Sequence, residues 1–224
     1  MEPSLGERLT ATSPTFSRDR LRTILEKAKP FHPKGHYLEP ADPHGNHLGG
    51  YFLLDPVTAD RGFVEWIAED IVAWIVRNRI EFDVLFAPAN PALRVLVQTV
   101  SRAMGRPAAY WEYLPSGRFG ERLVEGRVDR RARALVLNGV SHTGRCVGQR
   151  LPEFVEQLGG TRAAAAVFVK GSVPKVAEIE RTLGRRFYSA LRVDVPVFAA
   201  AECPLCRTAG PPVPWTALLR SGKP

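Results

Sequence analysis

The residues with chemistry to offer gather in one stretch, Ala134-Leu-Val-Leu-Asn-Gly-Val-Ser-His-Thr-Gly-Arg-Cys-Val147. Ser141 and Thr143 bring hydroxyls, His142 a titratable ring, Arg145 a fixed positive charge and Gly144 an uncrowded backbone. Such a set suits an anion. Backbone N–H groups and hydroxyls donate to phosphate oxygens, and an arginine adds a charge-assisted bond. His142 is either a phosphate contact, an acid or base, or a loop histidine without a task. The same residue types also serve a tight strand-to-helix turn with a Ser or Thr cap, so that reading stays open. Arg145 is equally a first-turn residue facing solvent.

Elements must deliver this loop. Ala134 to Leu137 is an apolar run short enough for a buried strand, and Asn138-Gly139 reads as a turn after it. Val147, Leu151, Phe154, Val155 and Leu158 then recur near a 3.6-residue period, with Pro152 confined to the start of that helix. Upstream, helices are expected over Leu21 to Ala28, Arg61 to Arg79 (capped by Asp60) and Pro91 to about Met104. Strands are expected at Tyr51 to Leu54, Phe82 to Ala87 and Ala108 to Trp111. Downstream come a strand at Ala163 to Val169, a helix at Pro174 to Leu183 and a strand at Phe187 to Val193. Leu114 to Arg127 reads as an exposed hairpin or mobile flap. Trp66 and Trp74 fall near one apolar helical stripe and are expected in the core.

Alternating strands and helices from residue 51 to 193 argue for an α/β fold, a mainly parallel sheet with helices on both faces. Ligands of such sheets bind at the C-terminal ends of strands, where the loops after Ala87 and Leu137 lie. Three segments follow: a tail and hood over 1–50, a core over 51–198 and a Cys- and Pro-containing tail over 199–224.

The chain has 224 residues and carries 31 Lys and Arg against 23 Asp and Glu, a net charge of +8. That balance suits polyanionic ligands, although a solvated Arg-rich surface has the same composition. The basic residues are scattered, and no nucleic-acid motif is present, so nucleic acid is not the expected partner. No run is apolar enough to span a membrane, and Met1 to Thr15 lacks a signal-peptide core. Three cysteines make no disulfide framework, and a cytoplasmic chain is expected.

Two features raise the question of a metal. Residues 30–50 hold His32, His36, His44 and His47, but their spacing matches no metal motif, and a loop lying over a site is the expectation. Cys203-Pro-Leu-Cys206 is a single pair, short of the four ligands that zinc takes. Cys146, a histidine or a second chain would have to complete it. A free or packed pair is the simpler reading, and no metal site is assigned.

From Tyr37 to Pro212 the chain resembles the type I phosphoribosyltransferases, most of all orotate phosphoribosyltransferase. The resemblance rests on Gly49-Gly-Tyr-Phe-Leu-Leu-Asp-Pro56, Phe82-Asp-Val-Leu-Phe-Ala-Pro-Ala-Asn90, Arg106-Pro-Ala-Ala-Tyr-Trp-Glu112, Ala134 to Gly144, Phe187-Tyr-Ser-Ala-Leu-Arg-Val-Asp194 and Glu202-Cys-Pro-Leu-Cys206. It implies a ligand, phosphoribosyl pyrophosphate (PRPP) or a relative, with the phosphate and ribose near Asn138, Gly139, Ser141, His142, Thr143, Gly144 and Arg145. It implies a pyrophosphate loop at Ala89 and Asn90, and catalytic cations on the flap at Arg118 and Arg122, with His142 beside them. It also implies a homodimer and Mg²⁺.

The pattern departs from the family at the acidic pair, and His142 and Arg145 also replace smaller residues expected in the loop. Where the family carries adjacent acidic residues that hold the ribose hydroxyls and help place magnesium, this chain has Asn138 and Gly139. Asn138 can still bond a hydroxyl but is a poor ligand for a hard cation, and Gly139 offers backbone alone. Two functions are therefore expected in competition: a divergent phosphoribosyltransferase with an unidentified acceptor, or a catalytically inactive PRPP- or nucleotide-binding regulatory module.

Overall fold

A computed structural model describes residues 8–39 and 45–221. The core strands are β1 (Leu9–Ala11), β6 (Val84–Pro88), β7 (Ala108–Tyr113), β8 (Phe119–Glu125), β9 (Arg133–Ser141), β10 (Thr161–Gly171) and β11 (Phe187–Val193). They form one seven-stranded sheet in the order β1-β11-β10-β9-β6-β7-β8. The five inner strands run parallel, and β1 and β8 close the two edges antiparallel.

Both faces of this sheet are buried, as continuous apolar strands require. Along β9, Leu135 and Leu137 join one core cluster, and Ala134 and Val136 join the other. The first cluster takes in α1 (Arg18–Ala28), α2 (Arg61–Arg77) and α3 (Pro91–Met104) through Ile24, Ile67, Ile71, Leu93 and Leu96. The second takes in α4 (Leu151–Gln157) and α5 (Pro174–Leu183) through Leu151, Phe154, Ile179 and Leu183. Asp60 caps α2, its carboxylate accepting from the N–H groups of Gly62 at 2.8 Å and Phe63 at 3.3 Å. Trp74 is buried as expected, whereas Trp66 is half-buried under the guanidinium of Arg20.

Three local expectations change. Asn138-Gly139 is not a turn: β9 continues through it to Ser141, because the long β10 pairs with it as far as Val169↔Val140 and Lys170↔Ser141. The helix after the loop opens with a π-helical turn, Cys146–Arg150, before α4. Pro152 has no N–H to give to an i−4 carbonyl, which favours a wider first turn. Residues 9–11, within the expected tail, are tied to β11 as an edge strand.

Short strands build a second, four-stranded sheet beside the core. Its members are β3 (Tyr37–Leu38), β4 (His47–Leu48), β12 (Val197–Phe198) and β13 (Val213–Pro214), in the order β12-β4-β3-β13. The early hairpin β3–β4 is thus flanked on both sides by strands from the C-terminal segment. Nearby, β2 (Phe31–His32) pairs antiparallel with β5 (Tyr51–Phe52). His44 lies outside the described residues.

A buried acid anchors α2 to the sheet and to the N-terminal segment. Asp70 accepts hydrogen bonds of 2.7 Å from both Tyr188 and Ser13. Removing the tyrosine hydroxyl leaves a buried carboxylate short of a donor, so Tyr188→Phe is expected to cost about 1–3 kcal/mol. Urea unfolding of the variant against the parent measures this, with no change in the denaturant slope.

Candidate active site

A cleft opens where the C-terminal ends of β6 and β9 meet the second sheet. Its floor is Pro88, Asn90, Asn138, Gly139, Val140 and His142. Tyr51 to Asp55 and Glu39 form one wall, and Tyr113, Gly117 and Phe119 of the β7–β8 hairpin form another. Leu93, Cys146 and Trp215 complete the lining.

The loop on the floor is held by close packing. A Cβ at Gly171 would lie 1.8 Å from the carbonyl oxygen of His142, so only glycine lets the end of β10 pass beneath the loop. Gly144 has φ +80°, a left-handed conformation that glycine adopts without strain. The His142 ring is buried, and its Nε2 accepts a hydrogen bond from the Phe52 N–H at 3.2 Å. Burial lowers its pKa to about 4. The ring is therefore neutral at pH 7, with the proton on Nδ1, and carries no positive charge for a phosphate. It packs against Tyr51, centroids 4.6 Å apart, and Tyr51 stacks in turn on Trp215 at 5.4 Å and 4° between planes. Burial also raises the Tyr51 and Tyr113 phenols and pushes the Cys146 thiol up to about 12. The cleft thus offers neutral hydroxyl and thiol groups rather than a ready nucleophile.

The residues singled out from the sequence divide. Asn90, Asn138, Gly139 and His142 meet in the cleft. Ser141 is buried beside them, and its hydroxyl has no hydrogen-bond partner among the described residues. Thr143 and Arg145 turn into a neighbouring groove with Asn46, Gln149 and Lys175. Gly144 packs towards Val176 and Ile179. Ala89 follows β6 and donates its N–H to the Trp111 carbonyl at 2.7 Å. Arg118 and Arg122 are exposed on the hairpin, and Arg122 pairs with Glu112 at 3.3 Å. Neither lines the cleft: Gly117 and Phe119 of the hairpin reach it, while β8 pairs back along β7 as the edge strand and leaves both arginines exposed.

Two asparagines have local tasks. Asn90 caps α3, accepting from the N–H groups of Ala92 at 2.9 Å and Leu93 at 3.4 Å. The Asn138 amide donates to the Val140 carbonyl at 3.1 Å and accepts from the Gly139 N–H at 2.9 Å. A Cβ at Gly139 would lie 2.2 Å from Leu54 Cδ2. Leu54 therefore fills the space that a side chain at 139 would need. The end of β9 has no carboxylate, so these residues do not fit a strand-held Mg²⁺, which takes carboxylate oxygens. The carboxylates in the lining are Glu39 and Asp55 on the opposite wall, and burial raises the pKa of Asp55.

The aromatic wall was not legible as a site. Tyr51, Tyr113 and Trp215 lie in three distant segments, and only the second sheet and the hairpin bring them together.

No family model matches the chain. A curated relative, the orotate phosphoribosyltransferase of Carboxydothermus hydrogenoformans, is 27% identical over 199 residues, 88% of this chain and 96% of that protein. Among solved structures, orotate phosphoribosyltransferase of Mycobacterium tuberculosis in complex with PRPP superposes with TM-score 0.53 at 19% identity, over 78% of this chain and 89% of that one. Adenine phosphoribosyltransferase of Thermoanaerobacter pseudethanolicus matches with TM-score 0.50 at 15% identity, over 77% of this chain and 99% of that one.

Two outcomes are expected from this geometry. Gly139→Asp overpacks against Leu54 at a cost of about 1–3 kcal/mol, and adding Leu54→Ala returns part of it. A double-mutant cycle by thermal unfolding gives the coupling. His142 sets an acid dependence. The unfolded chain takes up this proton as pH falls through 6.5, the folded protein only near 4. Stability is therefore full above pH 6.5 and declines as pH falls towards 4, by about 3 kcal/mol from this group. His142→Gln flattens that part of the profile in guanidinium unfolding.

In sequence and in fold the chain is similar to the type I phosphoribosyltransferases, and most like the orotate phosphoribosyltransferases.

Proposed function

We propose that the chain binds PRPP or a related 5-phosphoribosyl compound in this cleft and transfers the phosphoribosyl group to or from an acceptor. The observation that carries the reading is the β9 loop. It leaves a parallel sheet at its C-terminal edge, holds the buried and unpartnered Ser141 hydroxyl, and lies in a fold whose M. tuberculosis member was solved with PRPP. In the proposed reaction the bond from the anomeric carbon to a pyrophosphate oxygen breaks. A bond from that carbon to the acceptor nucleophile forms, and the bond electrons leave with pyrophosphate. Positive charge grows on the ribose and negative charge on the leaving group.

The chain's own residues have distinct parts in this proposal. The loop from Ser141 through Thr143 and Gly144 to Arg145 holds phosphate, with Ser141 beside the cleft and Thr143 and Arg145 on the side of the neighbouring groove. Ala89 and Asn90 face the pyrophosphate, and Tyr51 and Trp215 offer a flat apolar face to a planar acceptor. Arg118 and Arg122 reach a site only when the hairpin moves, either over its own cleft or over that of a second copy in a homodimer. The neutral His142 orients the loop, with its lone pair committed to Phe52. Any Mg²⁺ would come held by the ligand's own oxygens, and no step is routed through it. A cytoplasmic location goes with this reading; among the described residues no helix is long and apolar enough to cross a membrane.

A second reading, a PRPP- or nucleotide-sensing module without turnover, is favoured by one observation. The Asn138 amide is tied to its own backbone, and Leu54 fills the space beside Gly139, so the ribose hydroxyls meet no carboxylate there.

Calorimetric titration with PRPP, with and without Mg²⁺, tests both readings when paired with pyrophosphate release across orotate, other bases and small nucleophiles. The transferase reading expects saturable binding with release, and a loss of affinity of roughly tenfold in Ser141→Ala or Thr143→Ala from a removed donor to phosphate. Binding without release supports the sensor. No binding of PRPP, ribose 5-phosphate or nucleotides at millimolar concentration overturns both.

A further inference from the structure

Four side chains outside the cleft floor converge on one point: His36, His47, Cys203 and Cys206. Their ligand atoms all lie within 4.8 Å of one another, and His36, His47 and Cys203 are buried. Nε2 of His36 is 3.0 Å from Nδ1 of His47, 3.4 Å from Sγ of Cys203 and 3.9 Å from Sγ of Cys206. Sγ of Cys206 is 3.4 Å from Nδ1 of His47.

The N–N and N–S separations, 3.0 to 3.9 Å, are close to those of a coordination shell. With Zn–N near 2.0–2.1 Å and Zn–S near 2.3 Å, a tetrahedron has edges of about 3.3 Å between nitrogens and about 3.6 Å between nitrogen and sulfur. One imidazole lone pair cannot serve three neighbours as hydrogen-bond partners, whereas four donors aimed at one cation satisfy one another. The orientation of His36 is fixed from behind. Its Nδ1 lies 2.7 Å from the Gly210 carbonyl, which can only accept, so Nδ1 carries the proton and the Nε2 lone pair faces the cluster. Metal-bound histidines are held in this way. Two thiolates and two neutral imidazoles form a borderline-soft set that suits Zn²⁺ and is poor for Mg²⁺ or Ca²⁺.

The topology explains how distant residues assemble. His47 lies in β4 opposite Phe198 of β12, and the Val213 N–H of β13 donates to the His36 carbonyl at 2.8 Å. The segment between β12 and β13 therefore starts beside one histidine and ends beside the other, and it carries both cysteines. Sequence spacing hid this, because two residues from the hood and two from the tail make no linear motif. The fold places two histidines beside the Cys203–Cys206 pair, as the alternative in which a histidine completes it requires.

We propose that His36, His47, Cys203 and Cys206 bind one structural Zn²⁺ ion, which staples the C-terminal segment to the β3–β4 hairpin and so seats Trp215 in the cleft wall. All four protein ligands are present and the shell is closed, as in structural rather than catalytic zinc sites. Binding releases the two thiol protons as the thiolates take the metal, with no redox change. The site stands independently of the ligand proposed for the cleft.

The test uses the full chain without a histidine tag, expressed with zinc supplied. Elemental analysis is expected to give one zinc per chain. Co²⁺ exchanged into the protein should show the intense visible bands of a tetrahedral site and a thiolate charge-transfer band. The double variant Cys203→Ala/Cys206→Ala should lose both signals, and Cys146→Ala should keep both. Chelation of the parent is expected to lower its unfolding midpoint by several degrees. It should also shift a tryptophan emission component that is missing in Trp215→Phe. If the double variant does not fold, Cys206→Ser, at the exposed ligand, must weaken zinc retention at least tenfold against a competing chelator. Less than a tenth of an equivalent of zinc in the parent, a Co²⁺ spectrum without thiolate charge transfer, or a Cys203–Cys206 disulfide in the native protein by mass would each overturn the proposal.

Discussion

The arrangement of the cleft depends on one close approach, that of Gly171 beneath the backbone of His142. β9 and β10 run in register to Ser141 and Lys170, and the two chains then diverge with no room for a Cβ between them. The loop cannot rise, because the Phe52 N–H holds the His142 ring from the opposite side. It cannot sink, because the backbone of β10 is there. The cost of burying an imidazole is met by neutrality and one hydrogen bond, which is why its pKa falls so far. What looks in the sequence like a reactive histidine is, in the fold, a spacer of defined shape.

The parallel sheet was legible in the sequence for a plain reason. Runs such as Ala134 to Leu137 and Ala163 to Val169 are apolar on both faces, and segments of helical period separate them. Pro91 opened α3 as expected, with Asn90 found as its cap, and Pro174 to Leu183 matched α5 to the residue. Asn138-Gly139 misled because a pair that favours turns was read without its neighbour. The glycine there answers to Leu54 rather than to a turn, and that side chain lies far away in sequence. Arg118 and Arg122 were chosen by charge and loop position. Charge says nothing of conformation, and the hairpin keeps both on its outer side.

The second sheet was the hidden part. Its strands are two residues long, below what periodicity can detect, and their partners lie at opposite ends of the chain. Yet this sheet supplies half of what makes the cleft a cavity. It carries Glu39 and Trp215 to the wall, presses Trp215 on Tyr51, and brings two histidines to two cysteines. The core alone would present its loops to open water on that side.

The pairing of β3 and β4 with β12 and β13 also governs when the protein becomes whole. During synthesis the hairpin emerges early, with both of its edges unpaired. Those edges stay open until β12 and β13, which lie far downstream in the sequence, have followed. Contacts of such long sequence separation form slowly, and exposed strand edges invite the wrong partner in the meantime. The wall of the cleft thus closes after the core strands have been made and is exposed to misassembly on the way.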